Sequence, residues 1–428
     1  MGVSPHPTVH ARRKRSEDDD DGDDQETTPI PATRAEPRQL APIPLRLQQA
    51  ASAYSSSTTS QSRTSSRTST RSRATSPVKR TVNLEFLSKP VHFEEPGDDL
   101  DAQLTDDAAR ELLSHITRIT RWKTEFLPAE ACDIIRANVP DGKNWPSQWF
   151  RPKGDQNKDE DEDGEKKLAA QIQFAALSEI VFETKASIKR IRHELAWNNA
   201  VHWPLLKLAT RSVSGWGGGG VICEPTMSAG IANMWLPGMA NSQAQEQNGV
   251  AGGKMVDYVL TLDLHNRRPS DAPLREAIVR LVRDQPPDVQ SVNQTNYHPL
   301  VFNPIGVSIE TKCNTGAAEG NVQLGIWTAA WHQRVQNLVK SPVNIALPLL
   351  LCHEHAWKLY FACDRGHEIE IIGPITIGST DTLDSAYSLF AVLVEICKWV
   401  EGPYRTWWET ILGVAKDSSG GPGGDSGA

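Results

Sequence analysis

The chain has 428 residues, with 45 Lys+Arg against 53 Asp+Glu and a formal net charge of −8. That length has room for two or three domains, and the acidic balance excludes a generally basic, histone-like protein while allowing local basic patches. Hydrophobic residues make up 38%, below the roughly 45–50% of an ordinary globular chain, so part of the chain builds no core.

Met1 to Arg15 has no apolar signal-peptide core, so export by that route is not expected. Up to Pro90 the chain carries 14 Lys+Arg and 10 Asp+Glu, a net +4, which leaves −12 for the remainder. An acidic block (Glu17 to Asp24), a proline-rich stretch (Pro29 to Pro44) and a Ser/Thr/Arg-rich stretch (Ala50 to Arg80) follow one another. Such segments bury too little apolar surface to offset chain entropy, and residues 1–80 are expected to be a disordered tail. Two basic clusters lie in it, Arg12-Arg13-Lys14-Arg15 and the six basic residues from Arg63 to Arg80. They read as a nuclear-import signal or a sequence-independent phosphate-binding arm, or simply as solvated charge. Phosphorylation of the intervening Ser and Thr would cancel their charge.

Order is expected from about Lys79. Val82, Leu84, Phe86 and Leu87 form an apolar patch, and Pro90-Val91-His92-Phe93 is held extended by its proline. Thr105 is placed to cap a helix with Asp106 and Asp107 in its first turn, apolar at Leu112, Leu113, Ile116 and Ile119 and ended by Pro128. Ile134-Ile135 suggests another short helix, and Asp155 to Lys167 is a charged break. Residues 81–160 thus read as a helical region ahead of a main domain at 165–412, with a Gly/Ser tail at 413–428.

In the main domain, Leu168 to Trp197 is predicted as one long helix, apolar at Ile172, Ala176, Ile180, Ile188, Ile191 and Leu195. Ser214 to Gly220 is a glycine loop with no Lys-Ser/Thr after it, which makes it a connector rather than a phosphate cradle. Predicted strands follow at Val221 to Ile231 and Val256 to Leu264, separated by a loop at Asn241 to Gly253. Next come a helix at Leu274 to Arg283 and a strand at Gly306 to Lys312, then a helix at Asn321 to Val339. Strands at Val343 to Leu351, Trp357 to Ala362 and Glu368 to Ile372, and a helix at Asp384 to Trp399, complete the order. That alternation predicts an α/β layer domain with a central sheet flanked by helices.

Chemistry concentrates in two of the strands. Asp257 stands at the start of one, and Glu310-Thr311-Lys312 closes another. Charges inside β-rich runs are uncommon without a purpose, and strand ends can converge at one edge of a sheet. Two carboxylates brought close repel and rise in pKa unless a cation sits between them. A hard ion such as Mg²⁺ (or Mn²⁺) suits oxygen ligands of this kind. Glu310 and Lys312 are two residues apart and share one strand face, so the lysine would stand beside metal-bound water and a scissile phosphate. A plain salt bridge between Glu310 and Lys312 accounts for the same pattern without catalysis.

The pattern Asp…Glu-x-Lys, between a helix bearing Glu and a helix bearing Gln, resembles the PD-(D/E)XK nuclease superfamily, and more narrowly its fungal nuclease-like branch. Carrying the resemblance are Glu194 with Trp197-Asn198 and Val201-His202-x-Pro204-Leu205-Leu206, Val256-Asp257-Tyr258, Ser308 to Lys312, and Gln323-Leu324-Gly325-Ile326-Trp327. It spans about Lys79 to Trp408. The resemblance implies a restriction-endonuclease-like αβββαβ core with a mixed sheet, and metal-assisted hydrolysis of a nucleic-acid phosphodiester. Asp257 and Glu310 would ligate Mg²⁺, with the carbonyl of Thr311 and the Glu194 carboxylate as further ligands. Lys312 would position or activate water, and Gln323 would match a glutamine of related nucleases. Asp263 shares the strand parity of Asp257 and is the alternative ligand. A nuclease-fold protein without turnover, acting as a nucleic-acid-binding or protein scaffold, is the competing function. The expected partner is nucleic acid, DNA before RNA, and the expected setting is intracellular, with the basic clusters pointing to the nucleus.

Other groups point elsewhere. Cys352, His353, His355, Cys363 and His367 cluster in sequence, but their spacing does not match a zinc knuckle, and buried cysteines with turn histidines are the simpler reading. The stripe Leu389, Val392, Leu393, Ile396 and Trp399 reads as core. Trp197, Trp203, Trp327, Trp331, Trp407 and Trp408 could stack on bases, with core burial expected for most. Arg267, Arg268, Arg275, Arg280 and Arg283 could follow a phosphate backbone. No apolar run is long enough to span a membrane, and six scattered Cys suggest a reducing compartment rather than a disulfide framework.

Overall fold

Eight consecutive residues, Ile305 to Lys312, are buried along one strand, which requires cover on both faces of the sheet. The computed structural model describes residues 78–153, 160–214, 220–240, 254–265, 268–313, 316–340 and 342–414. The expected tail at 1–80 (apart from its last three residues), the basic cluster Arg12–Arg15, nearly all of the Arg63–Arg80 cluster, the glycines of 217–219, the 241–253 loop, Arg267 and the end of the Gly/Ser tail lie outside the described residues.

In chain order the elements are β1 (Val91–Glu94), α1 (Leu100–Gln103), α2 (Asp107–Thr120), α3 (Cys132–Asn138), α4 (Glu160–Arg190), α5 (Glu194–Trp197) and α6 (Trp203–Ser214). They continue with β2 (Gly220–Pro225), β3 (Tyr258–Asp263), α7 (Ala272–Arg283), β4 (Ile305–Lys312), α8 (Ala317–Val339) and β5 (Leu347–His353). The last are β6 (Ala356–Asp364), β7 (Ile369–Ser379), α9 (Leu383–Trp399) and α10 (Arg405–Ile411). The strands form one seven-stranded sheet in the order β1-β7-β6-β5-β4-β3-β2. It is mixed: β1 runs parallel to β7 and β4 parallel to β5, and the remaining neighbours are antiparallel. A parallel neighbour cannot be reached by a hairpin, and α8 makes the crossover from β4 to β5. α8 packs on β4 and β5, α6 on β2, and α9 on β7 and α6. Among the described residues no helix is long and apolar enough to cross a membrane.

In the region read as helical, 81–160, the extended segment after Pro90 is an edge strand: Val91 to Glu94 pair with Ile369 to Ile372. A short extended segment after a proline has too little pattern of its own to announce its partner. The first long helix starts one residue later than expected. Asp106, not Thr105, is the cap, and its carboxylate accepts from Ala109 N at 2.9 Å and from Ala346 N at 2.7 Å. One side chain therefore caps α2 and ties it to the segment entering β5. That helix stops at Thr120, well before Pro128.

The helix predicted over Leu168 to Trp197 breaks at Ile191, whose φ is 51°. Arg192 is tied back to Glu183 at 2.5 Å, and a new short helix begins at Glu194. A π-helical turn over Asn198–His202 then leads into α6. Pro204 accounts for that wide turn, because it has no N–H for the carbonyl four residues back and its ring would strike that carbonyl. The buried side of α4 carries Ala170, Leu177, Ile180, Val181, Thr184 and Ser187, whereas Ile172, Ile188, Ile191 and Leu195 are exposed. Predicted strands shift similarly: β2 ends at Pro225, β5 starts at Leu347, and β7 runs on to Ser379. The α9 stripe of Leu389, Val392, Leu393, Ile396 and Trp399 is core.

Candidate active site

Register brings the charged strand ends together. Tyr258 pairs with Ile309, so Asp257, one residue before β3, lies opposite Glu310, and its N–H donates to Ile309 O at 3.1 Å. Asp257 is therefore at the strand's threshold rather than in its first position. On the other side β5 runs parallel with Thr311 beside Cys352 and Lys312 beside His353. Glu310 and Lys312 share the face that α8 covers. Gly316 and Gly320 allow that approach, since a Cβ on Gly316 would meet Lys312 Cδ at 2.7 Å and one on Gly320 would meet Leu351 Cδ1 at 2.6 Å.

Three oxygens surround the Lys312 ammonium. Nζ lies 2.5 Å from Glu310 Oε1, 3.0 Å from Thr311 O and 3.6 Å from Glu194 Oε2. Glu194 reaches in from the first residue of α5 and keeps 39% of its side chain exposed, so the cluster meets solvent on that side. Glu310 is fully buried, and its Oε2 has no hydrogen-bond partner among the described residues. Asp257 Oδ2 accepts from Thr311 N at 2.9 Å and from Thr311 Oγ1, 2.7 Å away.

Burial, and then the charge of Asp257, push the Glu310 carboxyl up to about 9. Burial likewise lifts Glu194 above its ordinary value, with Asp257 adding to it against the pull of Lys312. For Lys312 burial opposes the charge, but Glu310, Glu194 and Asp257 outweigh it and its pKa stands above that of an ordinary lysine. Glu310 and Lys312 form one coupled contact: the ammonium holds its proton firmly to the extent that the carboxylate beside it is ionised.

Gln323, on α8, donates to Met255 O at 3.0 Å. It fixes the chain two residues before Asp257 and makes no hydrogen bond to the carboxylates. Asp263, the alternative, is not brought to this cluster. It ends β3 opposite Gly220, six residues and roughly 20 Å along the strand from Asp257. The expected salt bridge between Glu310 and Lys312 is present, although β4 is a central strand and not an edge.

A family profile described as the PD-(D/E)XK nuclease superfamily matches residues 134–405, well over half of the chain. The chain belongs to the PD-(D/E)XK nuclease superfamily. No curated protein and no solved structure matches it. The mixed sheet flanked by helices is the fold of this superfamily, whose members generally use divalent metals.

Among the described residues no three His, Cys, Asp or Glu side chains lie close enough together to cage an ion. Even so, the donor set fits one. A cationic group, the Lys312 ammonium, already stands among Glu310 Oε1, Thr311 O and Glu194 Oε2, and the buried Glu310 Oε2 is without a partner. Three carboxylates face one ammonium, an excess of negative charge that a divalent cation relieves. Oxygen donors of this kind suit Mg²⁺ or Mn²⁺ better than zinc.

Several residues at the site carried no role in the sequence reading. The Asn198 side-chain oxygen lies 2.8 Å from Thr311 Oγ1 and 2.8 Å from His202 Nδ1. His202 is fully buried, stacked on Trp197 and edge-on to Trp357, and its Nε2 lies 2.7 Å from Glu354 O. The Trp-Asn…His spacing across a π turn was the one available signal, and a helix of ordinary pitch would have spread these residues differently. Cys352 sits 3.2 Å from His202 Nε2 and, like Cys363, is buried in the sheet. Trp197, Trp327, Trp331 and Trp408 are buried in the core, and Trp203 and Trp407 pack against it. Arg268 is engaged by Asp271 and Glu401, and Arg275, Arg280 and Arg283 line a shallow cleft on α7.

Proposed function

We propose that the protein is a divalent-metal-dependent nuclease that hydrolyses phosphodiester bonds of nucleic acid, with DNA preferred to RNA. Membership of the nuclease superfamily supports the substrate class. The observation that carries the reading is the convergence of Glu310, Thr311 O and Glu194 on one cationic position, with Asp257 opposite Glu310 and close enough to act on it electrostatically, open to solvent past Glu194.

Asp257 and Glu310 would hold a Mg²⁺ or Mn²⁺ ion, with Thr311 O and Glu194 completing the protein's share. Such an ion, when bound, supplies a water of lowered pKa and stabilises charge on the leaving oxygen. The chain's own residues do the rest. Lys312 stays beside Glu310 and donates to the water or the phosphate oxygen in front of it. Glu194, on the solvent side, would reach the ion directly or through a water. Gln323 holds the Met255 carbonyl and so keeps Asp257 at the threshold of β3. We also propose nuclear localisation, on the strength of the Arg12–Arg15 and Arg63–Arg80 clusters.

One observation favours a second reading, a nuclease-fold scaffold without turnover: Lys312 is seated among the very oxygens an ion would need, and no three ligating side chains close around a point among the described residues. Incubation of the full-length chain with plasmid, single-stranded DNA and RNA in Mg²⁺ or Mn²⁺, beside Lys312→Ala, separates the two. A nuclease cuts at least one substrate and loses on the order of 10²-fold or more in rate with Lys312→Ala. Equal rates, or none in either, leave the scaffold.

A further inference from the structure

The hydrogen bonds behind Asp257 do not balance as simple pairs. Thr311 Oγ1 has one proton but faces two oxygens, Asn198 Oδ1 at 2.8 Å and Asp257 Oδ2 at 2.7 Å. His202 also faces oxygen at both ring nitrogens, Asn198 Oδ1 from Nδ1 and Glu354 O from Nε2. Both contacts are hydrogen bonds only if the ring is an imidazolium, and this ring is fully buried with its pKa pushed down by that burial to about 4. Meanwhile the contacts from Thr311 and His202 both fall on the Asn198 amide oxygen, and neither uses its amide nitrogen, which has two protons to give.

An amide's nitrogen and oxygen are nearly the same in outline, so its partners decide its orientation. Half a turn about the Cβ–Cγ bond of Asn198 settles all three conflicts. Its NH₂ then donates one proton to His202 Nδ1 and the other to Thr311 Oγ1. The Thr311 hydroxyl is thereby freed to donate to Asp257 Oδ2, beside the Thr311 N–H that already donates there at 2.9 Å. The neutral His202 ring donates through Nε2 to Glu354 O, and the Cys352 thiol, 3.2 Å from Nε2, donates to the same carbonyl at 3.3 Å. Every proton has one acceptor, and the sequence runs one way.

We propose that Asn198 and His202 are positioning residues that, through Thr311, commit Asp257 Oδ2 to the protein and present Oδ1 to the divalent cation. The relay rests on the cation reading above and meets its charged groups only at Asp257, where it ends. It anchors to β5 through the Glu354 carbonyl, whose own N–H donates to Lys312 O at 2.8 Å. The same residue whose N–H donates to Asp257 directs its carbonyl, in the next peptide unit, at the Lys312 ammonium, so one residue touches two of the oxygens at the site. A threonine in this place can do what a serine could and is stiffer about χ1. Partners one layer behind a metal ligand typically govern metal affinity by about 10–100-fold.

Two measurements test this on the full chain. The first is ¹⁵N NMR of histidine-labelled protein at pH 7, with His202 assigned by its absence in His202→Asn. A neutral ring protonated at Nε2, with Nδ1 bare, is expected; protonation at Nδ1 overturns the relay, and this readout needs neither metal nor activity. The second is the Mn²⁺ isotherm without nucleic acid. Asn198→Asp cannot donate to Thr311, and its dissociation constant is expected to rise at least tenfold. His202→Asn, which returns an acceptor near the Nδ1 position, should lie closer to wild type than His202→Gln, which does not. Wild-type affinity in folded Asn198→Asp would overturn the positioning role. No binding by the wild-type chain would instead sink the cation reading and the positioning role with it, while the tautomer would still report the order of the hydrogen bonds.

Discussion

The two ends of the β3–β4 pair both hold buried charge, and they are built on different balances. At the far end Asp271, 1% exposed, receives Arg268 at 2.8 Å and Arg405 at 2.9 Å, and Arg268 also reaches Glu401 at 2.8 Å. The Glu401 carboxylate packs against Gly220, the residue paired with Asp263. Two carboxylates there meet two guanidiniums. At the near end Glu194 and Glu310 share the single ammonium of Lys312, and Asp257 adds its charge from opposite Glu310. Glu401 Oε2, like Glu310 Oε2, makes no hydrogen bond among the described residues, but it lies beside two cations and Glu310 lies beside two other carboxylates. Charge that is neutralised within the chain stabilises structure, whereas an unbalanced buried cluster is held at a cost in stability and calls for something from outside.

The sharpest way to break this contrast is to compare activity. Lys312→Ala should lower the cleavage rate by on the order of 10²-fold or more in a gel assay, whereas Arg405→Met should leave the rate of the folded protein unchanged. A loss of equal size in both would end the distinction between the two ends. Stability should respond in the opposite sense. Asp271→Asn leaves two guanidiniums with one carboxylate and should cost about 3 kcal/mol in a denaturant titration. Glu310→Gln removes a carboxylate from an over-acidic cluster and should cost far less without metal, or raise the melting temperature. Adding Mg²⁺ or Mn²⁺ at a hundred times its dissociation constant should stabilise the wild type by about 2.7 kcal/mol and leave Glu310→Gln unmoved in calorimetry.

A separate expectation concerns pH. His202 and His332 are both fully buried, and burial holds each at about 4, below the ordinary 6.5. Between those values the unfolded chain takes up protons that the folded rings refuse. Stability should therefore rise with pH from about 4 to 6.5 and be lost as pH falls through the same window, by on the order of 1–3 kcal/mol per ring. Thermal melts at pH 7 and pH 5 read this directly, and His332→Gln should flatten the slope without touching metal binding.

Much of the layer order was legible in the sequence. The Gly306 to Lys312 run, the Leu274 to Arg283 helix and the α9 stripe announce themselves by period and composition, because each buries a face that its own residues define. What escaped were features set by distant contacts. Val91 to Glu94 become a strand because β7 offers a parallel edge, and α2 begins at Asp107 because the Asp106 carboxylate is also needed by Ala346. The long helix expected to reach Trp197 ends at Ile191, and that break is what brings Glu194 to the strand ends.

From the sequence alone came the residue types and parities: a Glu and a Lys on one face of a buried strand, an Asp at the threshold of another, and the superfamily they resemble. Tertiary structure alone decided that Asp257 stands opposite Glu310 while Asp263 is carried to the other end. It also decided that Glu194 joins them, and that Asn198 and His202 stand behind Thr311. The physical reason is that periodicity records which side of its own element a residue faces, whereas strand register, a helix break and a buried hydrogen-bond chain depend on partners tens to hundreds of residues away.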